Sequence, residues 1–164
     1  MIWSIKFKKD SHALACGGYI LYHHITELLE STNKSIESEK YIIIPMPSSP
    51  ARRRERGYNQ CELLAHAVIA YDVHGIFTIR NDILFRKKNV EKQTFKNRNE
   101  RLKNMKDVFD VHCSSKSDKE KNNDFNKTYI LLDDVITTGS TLREAILCLE
   151  KAGFNDVRGL GLAH

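Results

Sequence analysis

TYILLDDVITTGSTLREAI, residues 128–146, changes character twice within nineteen residues. Tyr129 to Leu132 is a continuous apolar run, as in a parallel strand covered on both faces. The run ends in two adjacent carboxylates, Asp133 and Asp134, before a short loop, Thr137-Thr138-Gly139-Ser140-Thr141. Leu142, Ala145, Ile146 and Leu149 then recur at helical spacing, and Gly153 makes a fitting stop. In open α/β sheets ligands sit beyond the carboxyl ends of the strands. A helix start adds unpaired N–H groups and the positive end of a dipole, which favour a phosphate. Gly139 lets the backbone come close, and the neighbouring hydroxyls can donate to phosphate oxygens. Two carboxylates beside a phosphate are repulsive unless they meet hydroxyls or a cation. A ribose diol with a magnesium ion satisfies both conditions. The plainer alternative is an acidic turn followed by an ordinary loop and cap. An NTP-binding P-loop is excluded, because no G-x-x-x-x-G-K-[ST] occurs.

Working outward, YIIIPMP at 41–47 opens as a second buried strand. All three prolines of the chain, Pro45, Pro47 and Pro50, fall where it ends, which predicts a defined loop over Met46–Arg54. Asn59 and Glu62 have the spacing of a capping box, and Cys61, Leu64, Ala65 and Val68 carry a helical stripe towards Tyr71. His12 to Leu29 reads as an earlier helix, with Gly17 and Gly18 as a possible break. Asp82–Phe85, Val108–Val111 and Val157–Leu162 read as short strands. Residues 86–106 read as a flexible basic loop with a short helix, and 112–127 as an exposed connection. Strands alternating with helices imply an α/β fold with a mostly parallel sheet and flanking helices.

The chain has 164 residues, 41% of them hydrophobic, which fits one globular domain spanning 1–164. No apolar run is long enough for a spanning helix, so no membrane insertion is expected. The basic start lacks a clean apolar core, so no signal peptide is expected and a cytoplasmic location follows. Four widely spaced cysteines without a C-x-x-C pair suggest neither zinc nor a disulfide framework. The net charge of +5 is concentrated: Arg52–Arg56 carries +3 and Arg86–Lys106 carries +7. Such focusing suits a phosphate-bearing partner, either a small molecule or nucleic acid, and equally suits solvated loops.

YILLDDVITTGST, 129–141, resembles the signature for 5-phosphoribosyl-1-pyrophosphate (PRPP) of type I phosphoribosyltransferases. The stretch IPMPSSPARRRERGYNQCELLA, 44–65, resembles the ComF-type competence-associated family, whose members carry P-x-P followed by R-R-x-R-G-[FY]-N-Q. A looser likeness covers 84–109. The resemblance implies a type I phosphoribosyltransferase-like fold in which Asp133 and Asp134 take the ribose and, through water or PRPP, the magnesium. It implies that Thr137, Thr138, Gly139, Ser140 and Thr141 hold the 5-phosphate. Arg52, Arg53 or Arg54 would face phosphate charge, and Arg86, Lys87, Lys88 and Lys92 would be pyrophosphate contacts. Many members carry a cysteine-rich zinc element that this chain lacks, so zinc is not carried over. Two roles stay open. One is magnesium-dependent displacement of pyrophosphate from PRPP by a nitrogen nucleophile. The other is a non-catalytic PRPP-sensing competence factor that handles single-stranded DNA during uptake.

Overall fold

The computed structural model describes residues 10–30, 41–87, 108–112 and 127–163. In chain order these form α1 (Ser11–Glu30), β1 (Tyr41–Pro45), α2 (Pro50–Arg56), α3 (Gln60–Ile69), β2 (Phe77–Ile79) and β3 (Leu84–Arg86). β4 (Phe109–Val111), β5 (Thr128–Asp133), α4 (Ser140–Lys151) and β6 (Val157–Gly161) follow. Four strands make one all-parallel sheet in the order β2-β1-β5-β6. β3 and β4 form a separate antiparallel ribbon. The expected α/β architecture with a parallel sheet and flanking helices is therefore the architecture found.

Alternation along the central strands explains why both read as unbroken apolar runs. Tyr41 and Ile43 of β1, with Ile130 and Leu132 of β5, face a core built from Leu21, Ile25 and Leu29 of α1 and Leu64, Ala65 and Val68 of α3. Ile42, Ile44, Tyr129 and Leu131 face the other side, onto Leu142, Ala145 and Leu149 of α4 and Phe109 of the ribbon. Successive side chains point to opposite faces, so a strand covered on both must be apolar throughout.

Two local expectations change, and one element is new. The Gly17-Gly18 pair does not break α1, which runs through it without interruption. Gly18 lies against α3 so closely that a Cβ there would stand 2.6 Å from the Ala67 carbonyl carbon and oxygen. The glycine is a contact surface between helices rather than a hinge. The stretch after β1 is not all loop: Pro50 starts α2, Ser49 Oγ accepts from the Arg52 N–H at 3.2 Å, and Gly57 (φ 77°) closes it. Proline suits the first helical turn, where its missing N–H would have had no intrahelical partner. β2, the edge strand beside β1, has no counterpart in the sequence reading, because three residues are too few to display a period. The expectations for most of the basic segment, 88–106, and for 113–126 lie outside the described residues. The strand expectations near 84 and 108 are met, as the two halves of the ribbon.

The helix contact supplies a test. Alanine favours a helix interior over glycine by about 1 kcal/mol, yet Gly18→Ala drives a methyl into the α3 backbone. Overpacking of this kind costs about 1–3 kcal/mol. We expect a net fall in the urea midpoint of Gly18→Ala; a rise would show that the two helices can separate freely.

Candidate functional site

The order β2-β1-β5-β6 reverses direction between β1 and β5: from β1 the chain proceeds to one edge, and from β5 to the other. The carboxyl ends of these two strands therefore flank a crevice, where open parallel sheets hold ligands. A hydrogen bond from Met46 N to Leu132 O, 2.8 Å, extends the pairing just past the strand end. Beyond it lies a cleft of about 320 Å³, at the lower end of the range for small-molecule sites. Its walls come from the segment after β1 (Met46 to Ser49, and Arg52), the start of α3, Arg86 of the ribbon, and Asp133, Asp134, Thr137 and Thr141. A second hollow of similar size, about 310 Å³, lies between the ribbon and α4. Volume does not separate the two; position at the switch point and the charge types do.

The acidic pair is held by its own backbone and by α3. Asp133 Oδ1 accepts from Asp134 N at 2.9 Å, and the Cys61 thiol donates to the same oxygen with a sulfur–oxygen distance of 3.7 Å. Burial, with the Asp134 charge as a smaller contribution, raises the Asp133 carboxyl above its ordinary range. Burial first, then the charges of Asp133 and Asp134, push the Cys61 thiol well up, so it stays protonated at neutral pH. The Cys61 sulfur and one oxygen from each carboxylate lie within 4.8 Å of one another. With the sulfur protonated, the available ligands are carboxylate oxygens, hard donors of the type magnesium takes.

The loop after the acidic pair has the form its sequence suggests. Gly139 adopts φ 69° immediately before α4, a conformation in which a Cβ is strained. Thr138 and Ser140 hydroxyls pair at 2.8 Å. A small hollow of about 30 Å³ runs along Thr137–Thr141 and joins the acidic pair through Asp133. Five residues of the sequence reading therefore surround one small recess at a helix start, beside the Asp133 carboxylate.

The basic residues divide. Arg52 lines the cleft, whereas Arg53 and Arg54 are exposed on α2 and do not line it. A helical turn spreads consecutive side chains about 100° apart, so three neighbouring arginines cannot share one direction. Arg86 lines the cleft from the opposite element, with its guanidinium carbon 5.5 Å from the centre of the Phe109 ring. Burial, and then the Arg52 charge, lower its pKa. Two cations are thus directed into one recess, an arrangement an anion would relieve. Lys87, one residue on, faces the other hollow, as strand alternation requires. Lys88 and Lys92 lie outside the described residues.

Residues 59–61 are structural neighbours that the sequence reading does not place in the site. Asn59 Oδ1 accepts from Cys61 N at 3.2 Å, capping α3, while its amide donates to Met46 O at 3.0 Å and to Glu62 at 3.1 Å. The expected capping box is thus modified: Glu62 meets the side chain of Asn59. Asn59 fastens the loop after β1 to the start of α3. Gln60 is 7% exposed and its Oε1 accepts from Arg56, while its Nε2 has no hydrogen-bond partner among the described residues. The signal for these residues is topological: a helix that begins beside a strand end turns its first residues towards the crevice.

Because the folded environment raises the pKa of Asp133, its ionised form weakens the fold. That penalty is absent below the unfolded pKa and grows as pH rises through the folded one. In metal-free buffer at neutral pH, Asp133→Asn should therefore unfold at a higher urea concentration than the wild type. The difference should shrink as pH falls into the carboxylate range. A less stable variant at neutral pH would contradict the burial argument.

No family model matches the chain. It is 35% identical over 123 residues to Competence protein F of Haemophilus influenzae, a match covering 74% of this chain and 49% of that protein. It is 31% identical over 121 residues to Competence protein ComFC of Bacillus subtilis, covering 74% and 43%. ComFC of Streptococcus pneumoniae is 28% identical over 148 residues, covering 90% and 58%. The chain spans about half the length of these relatives. No helix among the described residues is long and apolar enough to cross a membrane.

Proposed function

Because the chain belongs to the ComF-type competence family, we propose that its cleft binds PRPP with magnesium in the manner of a type I phosphoribosyltransferase. One observation carries this reading. At the carboxyl ends of the two central strands, an acidic pair, two opposed arginines, Thr137 and Thr141 line one cleft, and the rest of the hydroxyl-rich loop lines a small hollow that adjoins it at Asp133. Each matches a different part of the ligand. Asp133 and Asp134 accept from the vicinal ribose hydroxyls. The loop Thr137–Thr141 donates hydroxyl and backbone N–H groups to the 5-phosphate, whose charge the start of α4 favours. Arg52 and Arg86 offset the pyrophosphate, and guanidinium groups suit it because each can present two parallel donors.

Magnesium, held by Asp133 and Asp134 directly or through water and by the ligand, supplies further positive charge beside the pyrophosphate. In a transferase reaction the same arrangement would fix the sugar and stabilise the departing pyrophosphate, while a nitrogen nucleophile attacked ribose C1. The names of the relatives support a role in competence; in that role the protein would act either as a transferase or as a sensor of PRPP.

The test is calorimetric titration of PRPP with and without magnesium. We expect magnesium-dependent binding by the wild type, at least about tenfold weaker after Arg86→Glu and abolished in the Asp133→Asn, Asp134→Asn double variant. Equal affinity in the double variant would remove the reading. A second reading, contact with single-stranded DNA, is favoured by Arg53 and Arg54, which α2 displays outside the cleft. Reversing these two charges should lower DNA affinity and its salt dependence, with PRPP binding retained. Unchanged DNA binding would dismiss that role for α2.

A further inference from the structure

The strand after α4 arrives beside the candidate site without a side chain. β6 ends at Gly161, which pairs in register with Asp133 of β5 but lines neither the cleft nor the small recess along Thr137–Thr141. Conformation does not call for glycine here, because the residue continues a strand and lacks the positive φ of Gly139. Space does. A Cβ at position 161 would stand 2.5 Å from Cγ1 of Ile136, 2.8 Å from its Cδ1 and 3.5 Å from its backbone nitrogen. Ile136 lies between the acidic pair and the hydroxyl-rich loop. Gly159, two positions earlier and so on the same face of β6, is crowded in the same way. A Cβ there would stand 2.6 Å from Cδ2 of Leu142. Glycine within a strand often marks such a close approach.

We propose that Gly161 is a positioning residue for the phosphate loop: it gives Ile136 a bare seat on β6, and the depth of that seat sets where Thr137–Thr141 present their donors. The proposal rests on the PRPP reading and adds to it what holds the loop in place. Three observations carry it. Ile136 is tied to the same stretch of chain through its backbone as well, since its N–H donates to Ala163 O at 2.8 Å. Ile136 and Leu142 both line the recess, so the loop is seated at its two ends, on Gly161 and on Gly159. The hydroxyl contact between Thr138 and Ser140, 2.8 Å, stays within the loop and cannot set its height over the sheet.

The size of the clash sets the expected effect. Carbon atoms in ordinary contact are about 3.5–4.0 Å apart. A methyl 2.5 Å from Cγ1 therefore displaces Ile136 by about 1 Å. Ile136 has little freedom to turn aside, because it packs against the core that holds Leu142 and Ala145. A misplacement of about 1 Å in a binding group can lower its effectiveness by about a hundredfold. Arg52 and Arg86 come from other elements and do not share the seat. The loss should therefore fall on the sugar-phosphate half of the ligand.

Calorimetry of the full chain with ribose 5-phosphate, and separately with magnesium pyrophosphate, tests this. Gly161→Ala should bind ribose 5-phosphate at least about tenfold more weakly, with magnesium pyrophosphate affinity kept within about twofold. In an Ile136→Ala background the clashing atoms are gone, so adding Gly161→Ala should weaken binding by less than about threefold. A general loss of stability would not cancel in this way, and an undiminished effect in that background counts against the seat. Wild-type affinity for ribose 5-phosphate in Gly161→Ala overturns the proposal, as does an equal loss for both ligands. Should Gly161→Ala fail to fold, Ile136→Ala alone decides, because it empties the seat; unchanged ribose 5-phosphate affinity then refutes the idea. A wild type that binds neither PRPP nor ribose 5-phosphate removes the ligand reading and this proposal together. Binding of both that ignores Gly161→Ala removes the seat and leaves the ligand reading standing.

Discussion

The pairing of β1 with β5 is the constraint from which the site follows. Its register, Tyr41 with Thr128 through to Pro45 with Leu132, brings two strand ends level although they are more than eighty residues apart in sequence. From that shared edge one connection leads into the arginine-bearing α2 and the other into the hydroxyl-rich loop. A shift of one residue would exchange the two cores, because side chains alternate between faces. The buried isoleucines and leucines therefore hold the register. The polar groups beyond them inherit positions they could not secure themselves.

Charge is distributed unevenly around that edge. Two carboxylates sit where neither can be fully solvated, and two arginines converge from the other wall. Hydrogen bonds orient the acidic wall: a backbone N–H and a thiol both fix the same oxygen of Asp133. Such a site is organised before any ligand arrives, and its separate acidic and basic walls are the reason a diol-bearing ligand with two phosphate-bearing ends fits the proposal. Pre-organisation lowers the free energy a ligand must spend on ordering its partners.

Most of the sheet is legible in the sequence, for an identifiable reason. β1 and β5 are covered on both faces, so their composition alone reveals them. α4 shows a clear periodic stripe. The edge strand β2 does not, since Phe77-Thr-Ile79 has one buried residue and no room for a pattern. Gly17-Gly18 misleads because intrinsic propensity describes an isolated helix, whereas Gly18 answers to Ala67 on another one. The acidic pair and the loop are legible as motifs. The sorting of arginines is not: adjacency in sequence says nothing of direction until Pro50 is known to start a helix. Cys61 and Gln60 are hidden for a related reason, since their apolar and capping neighbours account for them without a site.

The ribbon has a mechanical meaning. β3 and β4 belong to a sheet of their own and reach the body through packing, with Phe109 set in the core and Arg86 poised over its ring. The positive wall of the cleft therefore rides on a hydrophobic bearing, while the negative wall is anchored in the main sheet. The position of the Arg86 charge therefore depends on the volume packed beneath Phe109 as well as on the arginine itself.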